Sequence, residues 1–264
     1  MKIKRILLTG DDGYNSIGIR LLVHFLKEKY DLAIAASKVQ QSGVGGKLNI
    51  KHGGNWGETK VDGIKTIWVT GTPGDAMELS KVYFKKPFDL VLSGINLGPN
   101  LVGELASGTM TAAVRAVKLR LAPNAIAFSW NAPANFWYHD HQGDEDLRDY
   151  YDFPGVTALQ LIKLAITNEF WGTTLLNINF PDKPTKQLKF TRFAYYFSDF
   201  FSPVILDKTT KHYSYPDVFH EGLKGFVNTD ADALRSGFIS ITPCQPDLLD
   251  FAVFQKLKGQ VLDL

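Results

Sequence analysis

Ile6-Leu7-Leu8-Thr9-Gly10-Asp11-Asp12-Gly13 runs from an apolar stretch straight into an acidic turn flanked by glycines. Ile6 to Leu8 are β-prone residues and predict a short strand. Beyond the turn, Ile17, Ile19, Leu21, Leu22, Phe25 and Leu26 recur at helical spacing, which predicts a helix within 17–30. The alternation continues outward. Strands are expected over Leu32 to Ala36, Ile64 to Val69, Phe88 to Leu92, Ala125 to Ser129 and Leu175 to Ile178. Helices are expected from an Asp75 cap through Val82, over Thr109 to Leu119 and over Phe153 to Ile166. Strands separated by helices imply parallel crossovers. The fold class is therefore α/β, a Rossmann-like doubly wound and mostly parallel sheet, with ligands expected at the carboxyl ends of its strands.

The pattern changes near Lys189. Leu188 to Phe200 and Gly237 to Thr242 alternate as strands do, while Asp207 to Tyr215 is polar and turn-like. The reading is a single unit over 1–264, in which about 188–243 includes an antiparallel β extension used in oligomer contacts.

Bulk composition narrows the function classes. The 264 residues are 45% hydrophobic and 21% charged, ordinary for a globular chain. Formal net charge is +2, from 29 basic and 27 acidic residues, so nothing favours a nucleic-acid polymer or an anionic membrane as partner. The single cysteine, Cys244, is expected half-buried after a strand; it excludes an intrachain disulfide and a cysteine zinc cluster, and fits a reducing compartment. The apolar run after Lys4-Arg5 is too short for a signal peptide and ends in Asp11-Asp12, and no window is long enough for a membrane span. The expected location is cytoplasmic.

The three most polar, Gly-rich turns, Gly10 to Gly13, Ser37 to Gly46 and Ser93 to Gly108, all follow predicted strands, and four segments within or beside them carry chemistry. Asp11 and Asp12 stand where a dinucleotide fold needs glycine, and two carboxylates repel phosphate unless a cation lies between. Neighbouring strand side chains point to opposite faces, so both can face one ion only if the chain leaves strand geometry, which the flanking glycines permit. Such hard oxygen ligands suit Mg²⁺ or Mn²⁺. An acidic turn capping the next helix is the plainer alternative. Ser93-Gly94-Ile95-Asn96-Leu97-Gly98-Pro99-Asn100 offers two carboxamides and several backbone amides, or is simply a turn-rich connection. Ser107-Gly108-Thr109 opens a helix, whose N-terminus binds phosphate through free N–H groups or is merely capped by Ser107. A fourth segment, Gln40 to Gly46, carries Ser42 as a weak ligand or phosphate donor, in a lid or an ordinary loop.

At these residues the sequence resembles the SurE family of stationary-phase survival nucleotidases. The matching strings are Asp11-Asp12-Gly13, Gln41-Ser42-Gly43, Gly71-Thr72-Pro73-Gly74-Asp75, Ser93 to Asn100 and Ser107-Gly108-Thr109. Leu176 to Pro181, Thr229-Asp230 and Gly237 to Pro243 follow. The resemblance implies one divalent cation per subunit, Mg²⁺ or Mn²⁺, held by Asp11, Asp12, Ser42 and Asn96. It implies a phosphate pocket of Asn100, Ser107, Gly108 and Thr109, with Asp11 and Asp12 as the catalytic pair. The implied activity is phosphate release from nucleoside monophosphates or other phosphomonoesters, as a 5′- and/or 3′-nucleotidase, in a homodimer or homotetramer. The attacking group is a metal-activated water or one of the aspartates.

Four places depart from the family pattern: Gly10, Ala36-Ser37-Lys38-Val39, Ala106, and Arg115-Ala116. They motivate an alternative, a nucleotide- and metal-binding protein with weakened catalysis. A dinucleotide-dependent oxidoreductase is opposed by the absence of Gly-x-Gly-x-x-Gly after the first strand; a sugar transferase would leave monophosphates untouched. His139-Asp140-His141 with Asp144, Glu145 and Asp146 offers a conceivable second metal site but reads first as a solvated acidic loop.

Overall fold

The computed structural model describes residues 2–101, 103, 105–194, 202–215, 228–246, 254–256 and 258. Strands β1 (Arg5–Thr9), β2 (Asp31–Ser37), β3 (Trp56–Val61), β4 (Ile64–Val69), β5 (Leu90–Leu97), β6 (Ala125–Trp130), β7 (Leu175–Phe180), β8 (Leu188–Phe190) and β11 (Ile239–Cys244) form one sheet. Its order is β3-β4-β2-β1-β5-β6-β7-β11-β8. Pairing is parallel from β4 through β7, and antiparallel between β3 and β4 and between β7 and β11. The chain winds outward from β1 to β2 and β4, then returns to β5 on the other side of β1. This reversal opens a crevice at the carboxyl ends of β1 and β5, the position such sheets use for ligands.

Strand alternation feeds two apolar layers. Ile6, Leu8, Ile34, Leu90 and Leu92 face one core with helices α1 (Ile17–Leu26) and α4 (Thr157–Thr167). Leu7, Ala33, Ala35 and Val91 face the other, with α2 (Pro73–Tyr83) and α3 (Gly108–Lys118). With both faces covered, β1 and β5 read as near-continuous apolar runs.

Several boundaries differ from the sequence-based expectation. Asp75 is not the cap of α2. Thr72 is, accepting from the Asp75 amide, while the Asp75 carboxylate accepts from the Thr72 amide in a reciprocal capping box. The expected helix from Phe153 is α-helical only from Thr157; Tyr151–Val156 form a π-helical turn in which Phe153, preceding Pro154, is extended. Strand β3 was not anticipated, although Asp62-Gly63 joins it to β4 with both residues at positive φ, as a two-residue hairpin turn requires. Cys244 is buried at the end of β11 rather than half-buried after a strand.

The C-terminal region is more mixed than an antiparallel extension. β11 runs antiparallel to β7, but β8 is parallel to β11. The polar segment 207–215 lies in a hairpin of β9 (Ile205–Asp207) and β10 (His212–Ser214), and a short helix, α5 (Asp230–Arg235), precedes β11. Of the rest of the expected strand over 188–200, Thr191 to Ala194 are not in a strand apart from an isolated Arg192–Thr229 bridge, and 195–200 and His220 lie outside the described residues. No helix among the described residues is long and apolar enough to cross a membrane.

Candidate metal and phosphate site

The crevice is built from the carboxyl ends of β1 and β5 and the start of α3. The β1 strand ends at Thr9, and Gly13, at φ +98°, turns the chain so that Asp11 and Asp12 both lie inside, each 5% exposed. Asp12 is fixed by the β5 end: the Leu97 amide donates to its Oδ2 at 2.9 Å, and Gln40 Nε2 donates to its Oδ1 at 3.2 Å. Asp11 faces α3. The Thr109 hydroxyl donates to its Oδ1, and the backbone amides at the α3 start lower its carboxyl pKa. Gly108 permits this approach, since a Cβ there would stand 2.7 Å from Asp11 Oδ2.

Local strand geometry explains how β5 delivers Asn96. Its register with β6 shifts between Ser93 and Asn96, a bulge that re-aims the strand end. Gly94, at φ +107°, is needed there because a Cβ would sit 2.2 Å from the Phe128 carbonyl. The Asn96 amide nitrogen donates to the Gly98 carbonyl at 2.7 Å, which leaves its side-chain oxygen as the donor a cation can use.

Asn100 is locked from the opposite side. Its amide donates to Asn179 Oδ1 at 2.8 Å, and its Nδ2 to Ser129 Oγ at 2.7 Å. Asn177 and Asn179 donate to its carbonyl at 2.8 and 3.0 Å. The positioning role of Asn177, Asn179 and Ser129 was not read from the sequence. The Asn-x-Asn alternation on β7, which sends both carboxamides to one face, was the available signal.

Electrostatics at the pair are uncompensated. Burial pushes the Asp11 carboxyl above its ordinary value, against the pull of the Thr109 hydroxyl and the α3 amides. Burial, and then the charge of Asp11, push Asp12 up, against the Leu97 amide and Gln40. Among the described residues, no Lys, Arg or His pairs with either carboxylate. Two buried carboxylates side by side with oxygen-rich neighbours are a donor set that fits a hard divalent cation.

The expected residues are not equally close. Asp11, Gly108 and Thr109 are in direct contact, and Ser107 caps α3 by accepting from the Met110 amide at 3.0 Å. Capping uses the Ser107 oxygen while its hydroxyl proton remains to donate. The Thr109 hydroxyl already serves Asp11, so a phosphoryl oxygen that uses it has to share or displace that bond. Ser42 is exposed in a turn and makes no hydrogen bond among the described residues. Its neighbour Gln41 joins the site by donating its amide to the Asp11 carbonyl at 2.7 Å. Of the departures, Arg115 points to α2, where its Nε donates to Glu78 at 2.8 Å, and Ala116 is fully buried in the core. The Ala106 carbonyl accepts from Gly45 at 2.7 Å, joining the 40–46 loop to the α3 entrance.

Residues 139–145 lie beside this crevice. The Trp137 carbonyl accepts from Gln40, the same side chain that reaches Asp12. The expectation of a solvated loop fails for His141, whose side chain is 1% exposed.

Comparison with known proteins agrees with this architecture. Residues 6–198 match the family model described as survival protein SurE. The chain is 33% identical over 270 residues to the 5′-nucleotidase SurE of Archaeoglobus fulgidus, covering 97% of this chain and 96% of that one. It is 31% identical to the 5′-nucleotidase SurE of Pelotomaculum thermopropionicum, covering 96% and 94%. The crystal structure of the SurE protein from Aquifex aeolicus superposes with a TM-score of 0.72 at 26% identity, covering 96% of this chain and 98% of that one. With a family match across most of its length and relatives that span it nearly end to end, the chain belongs to the SurE family.

Proposed function

We propose that this protein is a divalent-cation-dependent phosphomonoester hydrolase that releases phosphate from nucleoside monophosphates. The observation that carries the reading is the buried, uncompensated Asp11–Asp12 pair set against the N-terminus of α3. The 5′-nucleotidase names of its relatives support the 5′ position, and 3′ activity is a further expectation of the same reading.

Asp11, Asp12, the Asn96 carbonyl oxygen and the Ser42 hydroxyl are the residues assigned to hold one Mg²⁺ or Mn²⁺ per chain. That ion supplies charge neutralisation and Lewis-acid polarisation at a phosphoryl oxygen. Gly108 and Thr109 offer amides at a positive helix end, and Ser107 and Thr109 add hydroxyl donors for the remaining oxygens. Asn100, clamped by three side chains, is a preorganised wall with its second Nδ2 proton left to donate as charge develops. Attack on phosphorus breaks the ester P–O bond and releases the nucleoside; it comes from an aspartate, forming an acyl-phosphate that water then hydrolyses to phosphate, or from water whose proton an aspartate accepts. Rapid quenching with labelled substrate separates the two, since only the first leaves label on the protein.

Arg115, engaged with Glu78, weakens the case for a binding protein without turnover. The exposed Val204, Ile205, Leu206, Tyr213 and Tyr215 of the β9–β10 hairpin support use of the 188–243 region between copies of one single-unit chain, measurable by sedimentation. Absence of a membrane-crossing helix among the described residues is consistent with a cytoplasmic location.

The test is phosphate release from 5′- and 3′-mononucleotides with Mn²⁺, Mg²⁺ or EDTA. Cation-dependent release that EDTA abolishes is expected. Nucleotide binding without release under every condition would support the weakened-catalysis alternative instead.

A further inference from the structure

The loop beside the crevice gathers a second set of ligand atoms, chemically unlike the first. Glu145 Oε1 lies 3.7 Å from His139 Nε2 and 3.4 Å from His141 Nδ1. One ligand atom from each of the three residues falls within 4.8 Å of the others. Ligands at about 2.0–2.1 Å in a tetrahedral shell stand roughly 3.3 Å apart, so small side-chain adjustments bring this set to that spacing.

An independent feature marks the cluster. His141 is 1% exposed, and both its ring nitrogens are buried without a hydrogen-bond partner among the described residues. The 3.4 Å approach of Nδ1 to Glu145 is within ion-pair range but not aligned as a hydrogen bond. Orphaned buried nitrogens are costly and call for a partner such as an ion. Glu145 is oriented by other groups. Its Oε1 accepts from the Gln142 amide at 2.9 Å, and its Oε2 accepts from the Gly143 amide at 3.1 Å and Arg20 Nη1 at 3.2 Å. Those bonds aim Oε1 at the two imidazoles and place Arg20 on the far oxygen.

We propose that His139, His141 and Glu145 form a second cation site, for a borderline transition ion of the Zn²⁺ or Co²⁺ class. Two imidazoles and one carboxylate select such ions over Mg²⁺, and three protein ligands leave a fourth position open. The site is distinct from the oxygen-only set at Asp11 and Asp12, and does not depend on that set's assignment.

Co²⁺ titration of the full-length Asp12→Asn variant, followed by visible absorption, tests it, because the first site is disabled in that background. One bound Co²⁺ per chain is expected, with the intense bands of a low-coordinate, nitrogen-containing site. His141→Gln in the same background is expected to remove the bands. His139→Gln alters a half-exposed ring and should leave the fold intact by circular dichroism; it is expected to weaken Co²⁺ binding by more than about tenfold, since even outer partners of metal ligands are worth that much. Absence of the bands in Asp12→Asn overturns the proposal. So does Co²⁺ binding that a folded His139→Gln leaves unchanged. Nucleotide turnover is scored separately, so failure of the hydrolase reading remains distinguishable.

Discussion

The Asp11–Asp12 pair and the His139–Glu145 cluster are neighbours built on opposite plans. The aspartates leave the end of a core strand and are held by a backbone amide, a hydroxyl and a carboxamide. Their donors are oxygens, their charges repel, and burial raises both carboxyls. The histidines sit on a loop, bring nitrogens, and leave two of those nitrogens without hydrogen bonds among the described residues. The contrast shows what makes a cluster ready for an ion. In one case it is uncompensated charge; in the other it is unused lone pairs. Hard and borderline cations therefore divide between the two places.

The sharpest way to break this contrast is to neutralise one carboxylate. Asp11→Asn is expected to lower phosphate release by about a hundredfold or more, comparable to removing a transition-state donor, with the fold kept. Steady-state kinetics and circular dichroism check it.

Next in size is the support behind Asn100. Asn179→Leu removes both a donor and an acceptor and strands the Asn100 groups it paired, so stability should fall by about 1–3 kcal/mol. KM for the nucleotide should rise with it. Urea denaturation and initial rates measure the two effects, and an unchanged KM would remove Asn100 from the pocket.

A pH effect follows from the aspartates. Their folded pKa values lie above the unfolded ones, so the folded chain binds more protons than the unfolded chain in the window between. For Asp12 that window runs from 3.8 to about 7. The stability contribution is complete below it and is lost as pH rises through it. In EDTA, wild-type Tm should therefore fall across this range more steeply than that of Asp12→Asn, and saturating Mn²⁺ should flatten the difference. Differential scanning fluorimetry across pH reads this directly.

The smallest effect is expected from Arg115→Ala. The Arg115–Glu78 pair is partly exposed, so its loss should cost about 0–1 kcal/mol and leave turnover unchanged. A large loss of activity would bring Arg115 into the site.

How much was legible in the sequence follows from range. Asp11-Asp12-Gly13, the 93–100 loop and Ser107-Gly108-Thr109 were readable because strand, turn and helix start lie within a few residues of each other. The partners that fix them are distant in the chain. Leu97 reaches Asp12 across 85 positions, and Asn179 reaches Asn100 across 79. No local period announces such pairs. Burial of His141 was invisible for the same reason, since packing of the 139–145 loop against α1 decides it. The β3–β4 hairpin is a different case: Asp62-Gly63 was a local turn signal, but the polar alternation of Trp56 to Val61 hid an edge strand.

The most direct measurement is Mn²⁺ binding, by the electron paramagnetic resonance of free ion, made alongside phosphate release on wild type, Asp12→Asn and His141→Gln. Asp12→Asn should lose both the tightly held Mn²⁺ and turnover, while a folded His141→Gln keeps both. Full Mn²⁺ binding and turnover in Asp12→Asn would contradict the assignment of the carboxylate pair as the metal centre.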